Sequence, residues 1–136
     1  MSMVASHEAS SHFLEIVLPE AANHYGTLYG AHALLMMGKA AFAGATRYCR
    51  CPVVMAAADA ITFVEPIRVG AIISISAKVV HHGRSSMVVE VEISPDGQRD
   101  TPSIGGRFTM VAVDESGQPA PFVSTPHQPL LEDSVS

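Results

Sequence analysis

Two histidines flank a glycine-punctuated stretch, Asn23-His24-Tyr25-Gly26-Thr27-Leu28-Tyr29-Gly30-Ala31-His32, and an imidazole at either place could work as a base near neutral pH. His32 falls in the first turn of an expected helix, where a histidine more often marks a helix start or an interface. His24 lies in a loop, where most histidines stay in solvent. Asn23 reads equally as a catalytic amide or as a turn residue bonded to its own backbone. Asp59 follows Met55-Ala56-Ala57-Ala58 in an apolar run, where a buried, unpaired carboxylate would be costly. It is a catalytic candidate, and a paired role fixing the helix start or a partner subunit is favoured. Lys39, on an otherwise apolar helix, is expected to snorkel to water. Glu65, before Pro66, is expected as an exposed charge at a strand end. Cys49 and Cys51 stand one residue apart, a gap across which a bridge would be strained, so both are expected as reduced thiols. A metal needs three or four ligands, and His81 and His82 are the nearest helpers, so no metal site is expected.

The surroundings of these residues are poor in charge. The chain has 136 residues, 48% hydrophobic and 15% charged, with a formal charge of −5. That excludes disorder throughout, and the acidic balance argues against nucleic acid as a partner. So little charge on a small domain suggests a face given over to a partner subunit. Residues 1–11 lack the basic start and apolar stretch of a cleavable signal, and no run reaches the length of a membrane span. A cytoplasmic protein is the expectation.

The elements that must position the chemistry follow from texture. Residues 1–11 read as a disordered tail and 122–136 as a polar tail, with one domain over 12–121. His12–Leu18 is a strand candidate ended by Pro19, and Pro19 to Gly30 is a loop. From Gly30 or Ala31 to about Arg47 the sequence predicts a helix rich in Ala, Leu and Met and without proline. It is apolar on all sides, the mark of a buried helix. Four strands come next, at Val53–Val64, Ile72–Val80, Ser85–Ile93 and Ile104–Val113. Turn residues separate them at Val69-Gly70, His82-Gly83 and Ser94-Pro95-Asp96-Gly97. A helix followed by a run of strands is an α+β pattern, one antiparallel five-stranded sheet on one helix. Its uncovered edges point to a dimer or larger assembly.

Four segments carry a family resemblance. Asn23 to His32 resembles the N-x-x-G-x-x-x-G-G entry to the long helix of hotdog-fold acyl-CoA thioesterases. Asp59-Ala60-Ile61-Thr62-Phe63-Val64-Glu65-Pro66-Ile67-Arg68-Val69-Gly70 is similar to their D-x-x-x-F-x-x-P-x-x-x-G segment. Gly83-Arg84-Ser85-Ser86-Met87 resembles the G-R-[ST]-S turn, and Phe108-Thr109-Met110-Val111-Ala112-Val113-Asp114 the closing F-x-x-V-A-x-D strand. The pieces stand in order between about Leu18 and Pro121, and the subgroup they most resemble includes cytosolic acyl-CoA hydrolases.

The resemblance implies a hotdog fold, in which a five-stranded sheet wraps one long helix. It also implies hydrolysis of an acyl-CoA thioester, with coenzyme A as part of the substrate and no separate cofactor. The helix start, with Gly30 and the freedom Gly26 gives the backbone, would stabilise charge on the carbonyl oxygen. Asn23 would donate its amide or position water, and an apolar tunnel along the helix would take the acyl chain. Arg84, with Ser85 and Ser86, would hold a CoA phosphate. His32 and Asp59 complete the catalytic candidates. Two positions depart from the pattern. The second glycine of the pair is Ala31, and the Asp usual about fifteen residues after the Asn is Gly38. Glycine cannot activate water, so the alternative function is an acyl-CoA binding or sensing protein that has lost hydrolysis.

Overall fold

Alternating β-branched residues decide which face of the sheet is covered. The computed structural model of the chain describes residues 9–98 and 100–122. Its elements are β1 (Ser10–Ile16), a short 3-10 turn (Pro19–Ala21), helix α1 (Gly30–Cys49), β2 (Val53–Phe63), β3 (Ile72–His82), β4 (Ser86–Pro95) and β5 (Ile104–Ala112). The strands form one antiparallel sheet in the order β1-β3-β4-β5-β2. Ile73, Ile75, Ala77 and Val79 of β3 face α1 and are buried, as are Met87, Val89, Val91 and Ile93 of β4. The α+β arrangement is the expected one. β1 starts two residues earlier than the expected His12, because Ser11 is tied into the fold. Ser11 is 2% exposed, and its Oγ accepts a hydrogen bond from Arg47 Nη1 of α1 at 2.8 Å. Of the tails expected over residues 1–11 and 122–136, residues 1–8 and 123–136 lie outside the described residues.

Helix α1 lies close on the sheet because small residues face it. A Cβ on Gly44 would stand 3.2 Å from the Ala77 Cβ, and one on Gly106 would meet Ile61 and Met37. The helix ends at Arg50, whose φ of 57° is left-handed and whose N–H bonds to the Thr46 carbonyl at 2.7 Å. That turn folds Cys51 back onto the last helical residue. The structure therefore joins Cys49 and Cys51 in a disulfide, with Cα atoms 5.4 Å apart, and corrects the expectation of two reduced thiols. Beside this end of the helix, Tyr48 packs against His82 and Phe122, with ring centroids 5.7 and 6.2 Å away. Burial pushes the Tyr48 phenol up to about 12.

A helix apolar all round finds cover on only one side of the single chain. Leu34, Leu35 and Phe42 of α1 are 41%, 55% and 50% exposed. β2 is a bare edge strand next to them, exposed along nearly its whole length, including Val54 and Met55. The long buried helix expected from composition is thus half-buried here, and the missing cover lies on the β2 side.

Candidate active site

The loop before α1 is built around one amide. Asn23 Oδ1 accepts hydrogen bonds from Tyr25 N at 2.9 Å, Thr27 N at 3.1 Å and Thr27 Oγ1 at 3.2 Å. Two of these donors are backbone N–H groups, which identifies the oxygen end of the side chain and leaves Nδ2 as a donor directed elsewhere. Gly26 takes φ +82°, a left-handed conformation that glycine adopts without cost, and its N–H returns to the Asn23 carbonyl at 3.1 Å. The turn is then pinned to the segment after β2. Leu28 N bonds to Ile67 O at 2.7 Å and Val69 N to Gly26 O at 3.0 Å. The first two sequence motifs are thereby stitched side by side.

This anchoring delivers an open helix start. The first helical hydrogen bond runs from Ala33 N to Tyr29 O at 2.9 Å, and Tyr29 caps the helix without a side-chain bond. The N–H groups of Gly30, Ala31 and His32 precede that bond and have no acceptor among the described residues. Unpaired N–H groups at the positive end of a helix dipole suit a developing oxyanion. The Phe63 ring walls the site, 3.6 Å from where a Gly30 Cβ would stand.

The other candidates are distributed unevenly around this point. His32 is half-buried and shares a flank of α1 with Met36 and Lys39, spaced four and seven residues on. Met36 and Lys39 help line a cavity of about 210 Å³ against Phe13, Glu15 and Ile75, on the β1 side. Asp59 stands on the sheet face away from α1, where the register sets it opposite Arg107. Arg107 in turn is paired with Glu90 at 2.9 Å, and Glu90 lies opposite Lys78. Asp59 therefore ends a row of alternating charges on the outer face, remote from the helix start. The Gly83-Arg84-Ser85-Ser86 turn joins β3 to β4 at the end of the sheet that also holds Val53, Ala112 and the last turn of α1. The helix start lies at the opposite end, with Phe63, Ile104 and Ile93. One chain sets Asn23 in the turn that leads to Gly30, turns the His32 side chain to the flank of Met36 and Lys39, and does not bring Arg84, Ser85 or Ser86 to the helix start.

Sequence reasoning missed the partner of Gly38. A Cβ there would stand 3.3 Å from Met55 Cε, so the thioether methyl covers the helix glycine. The signal was the paired apolar types, visible only once the register of β2 against α1 is known.

Comparison with known proteins agrees with this geometry. The thioesterase superfamily model matches residues 25–101. The chain is 36% identical to an uncharacterized acyl-CoA thioester hydrolase of Zymomonas mobilis, over 88% of this chain and 83% of that one. It is 29% identical to the rat cytosolic acyl coenzyme A thioester hydrolase over 83% of its length, and spans 31% of that longer protein. Its structure resembles the Staphylococcus aureus acyl-CoA hydrolase solved with butyryl coenzyme A and coenzyme A, with a TM-score of 0.80, 28% identity and coverage of 94% and 76%. It also resembles a hexameric acyl-CoA thioesterase, with a TM-score of 0.81, 32% identity and coverage of 88% and 78%. The Staphylococcus enzyme has further been solved with Ala in place of an Asn, of an Asp fifteen residues later and of a Thr seventeen residues beyond that. Counted from Asn23, the same spacing lands on Gly38 and Met55. With the turn, the open helix start, the five-stranded sheet on one helix and the matched segment in agreement, the chain belongs to the thioesterase superfamily and has the hotdog fold.

Proposed function

We propose that this chain is an acyl-CoA thioesterase, hydrolysing the thioester to a free acid and coenzyme A. The observation that carries the reading is the uncapped start of α1, where the N–H groups of Gly30, Ala31 and His32 have no acceptor among the described residues, behind a turn that holds Asn23 by Oδ1 and leaves its Nδ2 free to donate. Attack on a thioester carbonyl moves negative charge onto its oxygen, and these donors stabilise that charge without reorganising. The thioester relatives support the substrate class, and the cytosolic relative supports a cytoplasmic setting. Purified protein is assayed for thiol release with saturated acyl-CoAs of increasing chain length. Turnover above buffer with at least one of them is expected, and none with any chain length would contradict the function.

The opposed ends of the sheet give the site its assembly. A two-fold pairing of β2 with β2 of a second copy covers Leu34, Leu35, Phe42 and Met55, and it inverts one sheet against the other. That pairing would set the helix start of one protomer toward the end of the other sheet that carries the partner's Arg84. We infer a homodimer as the minimal unit, with Arg84, Ser85 and Ser86 holding a CoA phosphate for the neighbouring helix start. The hexameric relative is consistent with dimers as building blocks of a larger assembly. Replacing Arg84 by Ala removes a charge-assisted contact and leaves the fold alone, because the side chain is exposed. KM for acyl-CoA is expected to rise about tenfold with little change in kcat. An unchanged KM would remove Arg84 from the site.

A further inference from the structure

The contact between Gly38 and Met55 bears on how water is activated, and the inference rests on the thioesterase reading above. In the Staphylococcus hydrolase the corresponding spacing from the Asn falls on an Asp and a Thr. Here both positions are apolar, and they pack on each other, with Met55 Cε 3.3 Å from the place of a Gly38 Cβ. The change is therefore joint: the helix has lost its carboxylate, and the facing strand has lost its hydroxyl.

The neighbouring side chains do not replace what is lost. Ala31, Leu34 and Phe42 share this flank of α1 at helical spacing from Gly38, and none of them titrates. His32 and Lys39 lie on the opposite flank, toward β1. On β2, Asp59 faces away from α1 and opposite Arg107. The loops at the helix start carry His24, Tyr25, Tyr29, Glu65 and Arg68, all exposed, with the His24 ring tilted against Tyr25 at 4.0 Å between centroids. The oxyanion donors remain intact. What is missing among the described residues is a base beside them.

We propose that this enzyme hydrolyses thioesters without a side-chain base, using hydroxide drawn from solvent, and that Gly38 and Met55 together fix this route. The hydroxide oxygen adds to the carbonyl carbon, and the carbonyl π pair moves onto the oxygen held at the N–H groups of Gly30 and Ala31. Collapse of the tetrahedral intermediate breaks the C–S bond, and the electron pair leaves with the CoA sulfur. The carboxylic acid then gives its proton to water. A thiol resembling the cysteine side chain has a pKa of about 8.5, so it departs as a thiolate without a proton donor. The helix dipole therefore supplies the main help this reaction needs, which makes loss of the acid tolerable.

The pH dependence of kcat/KM for thiol release decides the matter, with the wild-type homo-oligomer measured between about pH 5.5 and 9. Hydroxide attack gives a rate that climbs tenfold per pH unit without levelling. A double variant, Gly38→Asp with Met55→Thr, restores a carboxylate and makes room for it, so its rate should level above the carboxylate range. It should exceed the wild type at least tenfold at pH 6 and converge on it near pH 9. A wild-type profile that is flat across this range, or that climbs and then levels within it, would reveal a side-chain base. Either outcome overturns the proposal and leaves the thioesterase function standing. Absence of enzyme-dependent thiol release at every pH would instead refute the function, and the hydroxide route with it.

Discussion

Replacing Asn23 by Ala or by Asp is expected to lower kcat/KM by at least about a hundredfold, the usual cost of losing one oxyanion donor. The two variants separate the roles of the side chain. Oδ1 holds the turn through three hydrogen bonds from Tyr25 and Thr27, and an aspartate oxygen accepts all three equally well. In the proposed mechanism Nδ2 is the part that donates to the substrate, and both substitutions remove it. Asn23→Asp should therefore keep the wild-type melting temperature and lose activity. Asn23→Ala should lose activity and also about 1 kcal/mol of stability, as its turn donors fall back on water. Activity retained in Asn23→Asp would reduce Asn23 to a turn former. A drop in stability shared by both variants would make its effect structural.

The largest effect on stability is expected at Gly44. Its place for a Cβ lies 3.2 Å from the Ala77 Cβ, with the Ala77 carbonyl oxygen and Ser11 Oγ each at 4.0 Å. Ala77 is 1% exposed, and its Cβ is fixed to the sheet backbone, so it cannot swing aside. Gly44→Ala should come out nearly neutral, because the helix gains up to about 1 kcal/mol in propensity and loses a similar amount to crowding. Gly44→Leu has no such compensation and must push α1 off β3, at a cost of about 3 kcal/mol. In thermal unfolding this is a fall of roughly 10–20 °C. If Leu is tolerated there, the helix does not sit on the sheet as closely as the structure shows.

The sheet was legible because its residues alternate. Ile73, Ile75, Ala77 and Val79 announced both a strand and its buried face, and turn residues marked its ends. The helix was legible from its Ala, Leu and Met content, although its all-round apolarity exceeds what the single chain covers, with Leu34, Leu35 and Phe42 exposed. The candidate site was legible only where it is local. The span from Asn23 to Gly30 is continuous, so its turn and helix start could be read together. Asp59 and Arg84 could not be placed from sequence, because their location depends on register and on which end of the sheet a turn occupies. A bulge between Asp59 and Thr62, with Ala60 at φ 55°, adds to the difficulty by shifting the alternation within β2. The disulfide was missed for a related reason. A left-handed Arg50 makes a one-residue gap bridgeable, and nothing in the type of that residue signals it.

That the start of α1 receives the thioester is tested most directly by a crystal structure of the assembled protein with a non-hydrolysable acyl-CoA analogue that keeps the carbonyl group. The carbonyl oxygen should lie about 2.7–3.1 Å from the backbone nitrogen of Gly30 or Ala31, with Asn23 Nδ2 within hydrogen-bond reach. A carbonyl bound anywhere else, with those N–H groups facing only water, would contradict it.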